Sequence, residues 1–354
     1  MRIGIIGGGI NGLCCAWEFL KDGHSVELFE RDTVMAATSR SSSKLLHGGL
    51  RYLETGEFRL VREALRERDK WLKRAPELTS PLRLLMPIYK EGRRSRWQVA
   101  LGLYLYDRLG GRSMLPKSRW LKPEEVFSRD PDLRPDGLLG AYEYSDGQMD
   151  DLALGKWVES KVLALGAVIH ENTEVAKVST SGLITTTRGL SSNFDRVINV
   201  AGPWTQQLLE QSCIISPQQL QLVRGSHLIL DTRCHQACIL EVPNEKRVVF
   251  ALPWKNQTLL GTTEIPQSPN EPIACSKEER DYLISAYKHY WRENAATIVS
   301  HFSGVRPLIK STGSITNAPR DYAVHKIDKL VSVFGGKWTT APSLARRVRS
   351  IALL

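Results

Sequence analysis

The opening stretch constrains the fold more than any other. Ile3-Gly4-Ile5-Ile6 is a mostly apolar run of strand type, and Gly7-Gly8-Gly9-Ile10-Asn11-Gly12 follows it directly. A helical pattern, Leu13 to Leu20, comes next, and Gly23 ends it. The glycines read G-x-G-x-x-G. The first permits a tight turn, the second lets a pyrophosphate approach the backbone, and the third lets helix and strand pack closely. The helix N-terminus then offers N–H groups and a positive dipole end to phosphate. A second strand, Ser25 to Glu30, ends in an acid 18 residues beyond Gly12. An acid at that distance can accept ribose hydroxyls. Strand, glycines, helix and acid together predict a dinucleotide site.

A chain of 354 residues exceeds the size at which one core stops growing, so two domains are expected. The N-terminus starts on a strand with no basic segment before a long apolar run, which predicts no signal peptide. The longest apolar run, Val99 to Tyr106, is far too short to span a membrane. Six cysteines (14, 15, 213, 234, 238 and 275) show neither disulfide nor zinc rhythm. Cys234 and Cys238 flank His235, but no second ligand pair stands nearby, so no metal is expected. A reducing cytosol is the default.

The net charge is +10, and it is concentrated. Residues 88–122 and 337–354 hold nearly all the excess lysine and arginine. An anionic substrate, anionic lipid or nucleic acid would each favour such patches. Nucleic acid is set aside, because the basic residues lie beside apolar helices and the glycine turns. Trp97 to Leu109 is apolar nearly all round and follows Arg93, Arg94 and Arg96. It reads either as a helix lying in a lipid headgroup layer or as a core helix with a basic cap.

Further elements follow in order. Glu57 to Arg74 is an amphipathic helix with Phe58, Val61, Leu65 and Leu72 on its apolar side. Pro131 to Asp146 reads as loop and short strands. Asp151 to Leu165 is a helix, and 167–170 and 173–178 are strands of the nucleotide domain. Asp195 to Trp204 is a strand running into a Gly turn and a helix. Residues 219–265 alternate as an antiparallel sheet does. Lys277 to Trp291 is helical, and Leu330 to Phe334 leads into Gly335-Gly336-Lys337-Trp338-Thr339-Thr340 and a final helix. The expected fold class is α/β, α+β overall: a Rossmann-like nucleotide domain with an inserted antiparallel-sheet domain. Residues 1–80, 145–210 and 300–354 form the first, and 81–144 and 211–299 form the second, a substrate-binding cap.

Several stretches match one family. They include Thr38 to Glu54 (TSRSSSKLLHGGLRYLE), Glu143 to Asp146, Asn199 to Trp204, Gly225-Ser226-His227, Leu260 to Thr263, Ser303 to Leu308, Arg320 to Tyr322 and Ser332 to Thr340 (SVFGGKWTT). They run in order along the whole chain. The sequence resembles the FAD-dependent sn-glycerol-3-phosphate dehydrogenases among the D-amino-acid-oxidase-like flavoproteins. The resemblance implies FAD and oxidation of glycerol 3-phosphate to dihydroxyacetone phosphate, by hydride transfer from C2 to flavin N5. It implies electrons passed to quinone. Peripheral contact with the inner face of the cytoplasmic membrane is expected from residues 93–109, and a homodimer is one expected assembly. The resemblance places Gly7, Gly9 and Gly12 on the pyrophosphate and Glu30 on the adenosine ribose. Thr38, Ser42, Ser43 and Lys44 line the cofactor, Val175 meets the adenine end, and Gly202 and Gly336 approach the flavin. Ile10, Asn11, Arg31, Leu45, Ala201, Trp204, Gly335, Trp338 and Thr339 complete the expected cofactor set, with His47, Arg306 and Lys337 facing both cofactor and substrate. The substrate residues fall on His47, Arg51, Tyr52, Arg306, Arg320 and Lys337, with His227 close by. Two departures stand out: the family carries a further C-terminal helical domain, and its Tyr-Arg after Thr-Thr is Ala341-Pro342 here.

The chemistry asks for the same residue types. Arg51, Arg320 and Lys337 suit a phosphate dianion, because guanidinium forks match its oxygens. His47 or His227 suits the base that takes a hydroxyl proton, since histidine titrates near neutrality. Arg306 suits the developing alkoxide. A flavin enzyme acting on a related hydroxy acid or amine, or a flavin-binding subunit without turnover, would share the cofactor turns. Fewer cations would suffice for a carboxylate substrate.

Overall fold

The computed structural model describes residues 1–269, 271–291, 296–310 and 322–354. The opening turn folds as its spacing dictates. β1 (Arg2–Ile6) is buried from Ile3 onward and leads through the glycines into α1 (Ile10–Lys21). Gly7 sits at φ +112°, and a Cβ there would stand 2.6 Å from the Val200 carbonyl oxygen. A Cβ on Gly12 would stand 1.9 Å from the Gly7 carbonyl oxygen. Only glycine lets the helix begin so close to the strand. β2 (Ser25–Phe29) then runs parallel to β1.

Beyond β2 the chain makes β3 (Leu45–Leu46), α2 (Phe58–Arg74), β4 (Thr79–Tyr89), α3 (Arg96–Gly110), β5 (Arg119–Leu121), α4 (Pro123–Phe127) and β6 (Leu138–Met149). Next come α5 (Asp151–Ala164), β7 (Val168–His170), β8 (Val175–Val178), β9 (Leu183–Thr186), β10 (Ser191–Asn193), β11 (Arg196–Asn199) and α6 (Thr205–Gln211). The rest is β12 (Leu220–Leu230), β13 (Ala237–Glu241), β14 (Val248–Trp254), β15 (Gln257–Gly261), β16 (Ile265–Pro266), α7 (Lys277–Tyr290), β17 (Ile298–Ile309), β18 (Tyr322–Ile327), β19 (Leu330–Gly335) and α8 (Ala341–Leu353). Side-chain caps start several helices. Ser95 and Gln98 form a capping box on α3, Ser276 and Glu279 one on α7, and Asp150 accepts from the Ala153 N–H at α5.

Three sheets result. A six-stranded sheet runs β18-β19-β11-β1-β2-β7, parallel except for β18. A ten-stranded sheet is mostly antiparallel: β16-β12-β15-β14-β13-β4-β6-β3, with β17 on β12 and β5 on β6. β8, β9 and β10 form a small sheet of their own. α1, α5 and α8 bury Leu13, Phe19, Val158 and Leu344 with Ile5 and Leu28 of the parallel sheet. The large sheet is covered on both faces, as alternating residues along a strand require. Ile229, Ile239 and Leu252 join Val61, Leu65 and Leu103 of α2 and α3. Leu228, Leu240 and Val249 join Leu283, Tyr287 and Tyr290 of α7.

Some elements differ from expectation. Pro131 to Asp146 contributes most of β6, a strand of 12 residues paired along its whole length with β4. The stretch reads as loop and short strands, but it holds one long strand whose acids are paired within the protein: Glu143 with Arg83, Arg119 and Arg129, and Asp146 with Arg68. β8 leaves the nucleotide sheet and pairs with β9. β17 runs along β12 in the large sheet rather than among the nucleotide strands. On α2, Phe58 is exposed, and Glu67 and Arg68 lie on the buried side beside Leu60, Val61, Ala64, Leu65 and Trp71.

Arg68 and Asp146 meet at 2.9 Å with both side chains almost fully buried. Removing one member of such a pair strands the other charge. Arg68→Met is expected to cost about 3–5 kcal/mol of stability, read as a lower urea midpoint in equilibrium unfolding.

Candidate active site

The carboxyl ends of β1, β2, β11 and β19 open onto one cavity of about 630 Å³. Open sheets of this kind bind ligands there, where helix N-termini and strand-end turns converge. Gly7, Gly9, Ile10 and Asn11 line it after β1, and Glu30 and Arg31 after β2. Ala201, Gly202 and Trp204 line it after β11, and Gly335 to Thr339 after β19. Gly202, Gly335 and Gly336 all have positive φ, so the backbone itself forms the wall.

Local hydrogen bonds fix these turns. Ser39 Oγ accepts from the Ile10 N–H at 3.0 Å, and the Ser39 carbonyl accepts from Trp338 Nε1 at 2.9 Å. Thr38 Oγ1 donates to the Val305 carbonyl at 2.9 Å. Glu30 accepts from the Gly8 N–H at 2.6 Å and from the Asp32 N–H at 3.0 Å. Val175 lines the same end, where the Arg31 guanidinium stacks 3.7 Å above the Trp204 ring.

Other lining residues are chemically different. Ser42, Ser43, Leu45, His47, Arg51, Tyr52, His227, Arg306 and Lys337 all reach the cavity. The His47 N–H donates to Thr339 Oγ1 at 3.2 Å, which ties the two glycine-rich stretches together. Lys337 Nζ lies 3.7 Å from the centre of the Tyr52 ring. Arg306 donates to the Thr263 carbonyl at 2.6 Å and stands 3.6 Å from Glu264. A Cβ on Gly225 would fall 2.3 Å from the Arg306 guanidinium, so a glycine is what lets that side chain lie there. His227 is buried, its Nε2 2.8 Å from Ser43 Oγ and its ring stacked on Phe302 at 4.9 Å. Burial, then the charges of Arg306 and Lys44, pushes its pKa down to about 3, so the ring is neutral at physiological pH.

Two expected residues stand behind the wall. Gly12 packs against Gly7 and does not reach the cavity. Lys44 turns away; its ammonium donates to Asp151 at 2.6 Å and to the Arg40 carbonyl at 2.8 Å. Arg320 lies outside the described residues. Sequence reasoning missed Ser39, Arg247 and Glu264, which also line the cavity. Glu264 follows the Leu260-Gly261-Thr262-Thr263 stretch directly and was within reach of the motif; nothing in the sequence points to Arg247.

The family of FAD dependent oxidoreductases matches residues 2–350. The chain belongs to the FAD-dependent oxidoreductase family. It is an oxidoreductase, and FAD is its cofactor. Among characterised family members it is similar to D-erythritol 1-phosphate dehydrogenase of Brucella abortus (strain 2308), at 39% identity over 97% of this chain and 72% of that protein. It is similar to aerobic glycerol-3-phosphate dehydrogenase of Escherichia coli (strain K12), at 36% identity over 96% of this chain and 71% of that protein. The FAD complex of glycerol-3-phosphate dehydrogenase from Bacillus halodurans superposes with a TM-score of 0.77 at 24% identity. The match takes in 99% of this chain and 64% of that one, so this chain spans less than two thirds of that structure.

The cavity suits the family's cofactor on its own terms. Gly7 and Gly9 line it with backbone that has no room for a side chain, against Val200 and Ser39, and Asn11 Oδ1 is buried in the wall with no hydrogen-bond partner. Gly7→Ala forces a side chain into a left-handed conformation against Val200. It is expected to weaken flavin retention about tenfold or more, read as the ratio of 450 nm to 280 nm absorbance of the purified protein.

Proposed function

We propose that this FAD-dependent oxidoreductase oxidises sn-glycerol 3-phosphate to dihydroxyacetone phosphate. One observation carries the reading: Arg51, Arg306, Lys337, His47 and His227 line the same cavity as the bare glycine turns. A phosphate dianion needs several cations, and an alcohol needs a base beside the carbon that loses hydride. When bound, the flavin supplies the hydride acceptor. The remaining work falls to side chains. Arg51 and Lys337 hold the phosphate, with Tyr52 placing the Lys337 ammonium. Arg306, anchored on the Thr263 carbonyl, steadies negative charge on the substrate oxygen as its proton leaves.

The two histidines take different parts in this reading. A ring whose pKa is about 3 is a weak base, so His227 acts as a neutral hydrogen-bonding group positioned by Ser43. His47 takes the hydroxyl proton. The Gly turns take the FAD pyrophosphate, Glu30 the adenosine ribose and Val175 the adenine side.

Electrons pass onward to a membrane quinone in this proposal, and α3 is the surface that meets the membrane. No helix among the described residues is long and apolar enough to cross one. α3 buries Val99, Leu103 and Tyr106 and exposes Trp97, Leu101 and Tyr104 as one stripe, with Arg93, Arg96 and Arg108 exposed around it. Arg94 contributes nothing to that patch, being paired with Glu54 and Glu241.

Anaerobic addition of glycerol 3-phosphate is expected to bleach the flavin band; a spectrum left unchanged would overturn the assignment. His47→Asn is expected to lower kcat by about 10²–10⁴-fold, the usual worth of a general base. The acidic limb of the pH profile of kcat/KM is expected to survive in His227→Asn, since a ring whose pKa is held at about 3 does not titrate there. Vesicles containing anionic lipid are expected to pull down the native protein and to lose Trp97→Ser with Leu101→Ser; equal sedimentation of both would exclude α3 as the contact.

A further inference from the structure

Beyond Arg306 the cavity wall continues as a charged row that the proposed chemistry does not use. Glu264, only 6% exposed at its side chain, stands 3.6 Å from Arg306 on one side and 3.6 Å from Arg247 on the other. Arg247 is held as firmly as Arg306. Its guanidinium donates to the Thr262 carbonyl at 2.8 Å and to Tyr282 Oη at 3.1 Å, and Tyr282 in turn donates to Glu245 at 2.9 Å. Arg247 Nε is buried and has no hydrogen-bond partner, since 3.6 Å to Glu264 is too long for one. Both Arg247 and Glu264 face the cavity, beside the apolar Ile239, Val248 and Phe250.

A carboxylate in such a row excludes a phosphate and welcomes a hydroxyl. A hydroxyl both donates and accepts, so it can bridge a carboxylate and a guanidinium that do not quite reach each other. An anion would meet Glu264 head-on in a poorly hydrated site. We propose that Glu264 and Arg247 form a hydroxyl-reading subsite. It orients the substrate with its phosphate away from this wall, and it binds hydroxyls of a polyol phosphate longer than three carbons. The proposal rests on the polyol-phosphate reading given above and adds the residues that set chain-length preference.

The test compares glycerol 3-phosphate with erythritol 1-phosphate as reductants of the native holoenzyme, Glu264→Gln and Arg247→Met. The native protein is expected to oxidise both. In each variant the ratio of kcat/KM for the four-carbon over the three-carbon substrate is expected to fall about tenfold or more, since a site built to bond a hydroxyl loses that discrimination with the bond. General damage to the site would lower both values together and leave the ratio unchanged. Inorganic phosphate, followed by its perturbation of the flavin spectrum, is expected to bind several-fold more tightly to Glu264→Gln, because a repelling charge is gone. An unaltered ratio in both variants, or a native enzyme that oxidises glycerol 3-phosphate alone, overturns the subsite and leaves the function standing. A native enzyme reduced by neither substrate overturns the function and the subsite with it.

Discussion

A charge taken out of water must be met by another, and this fold uses that rule twice on its least regular stretch. Between Thr38 and Tyr52 the described chain has only short helical turns and the two residues of β3. Asp151 fixes its first part, accepting from Lys44 Nζ and from the N–H and Oγ of Ser42. Asp146 fixes its last part, accepting from Arg68 at 2.9 Å, Tyr106 at 2.7 Å and the Gly48 N–H at 3.4 Å. His47 hangs between these two anchors. Its position is therefore set by α2, α3, α5 and β6, none of which contributes an expected substrate residue. Such pairs are costly to bury and more costly to break, which suits a segment that secondary structure alone would leave loose.

The nucleotide half was legible because its constraints are local. Gly7 and Gly12 declare a turn that only glycine can make, and the strand and helix beside them follow by pattern. The turns at Gly202 and at Gly335-Gly336 carry the same signal, and all open onto one cavity. The part of the large sheet within residues 219–265 was legible as alternation, and helices α5, α7 and α8 were expected where they stand.

What escaped reading depends on partners distant in sequence. β6 contains Glu143, Asp146 and two glycines, poor strand formers alone, yet arginines from β4, α2 and the segment around α4 neutralise the acids. Lys44 sits within a stretch that matches a cofactor motif, but its ammonium serves Asp151, more than a hundred residues away. Arg247 reaches the cavity only because β14 follows it into the sheet and Tyr282 of α7 supports it. No local pattern encodes these pairings. β8 is the same lesson in backbone form: its composition is that of a strand, but its neighbour is chosen by the β9 hairpin.

The state of His227 shows how such distant pairings shape chemistry. Arg306 and Lys44 both oppose its protonation, and burial opposes it more strongly. Lys44 exerts this effect from behind the wall, though Asp151 balances its charge at 2.6 Å. A histidine held neutral can exchange hydrogen bonds with Ser43 and a bound molecule without changing the field around Arg306. If it carried a proton, a second cation would stand beside Arg306 in a low-dielectric cavity, an unfavourable arrangement. Keeping His227 neutral adds no second positive charge beside Arg306. A different, less buried ring, that of His47, lines the same cavity.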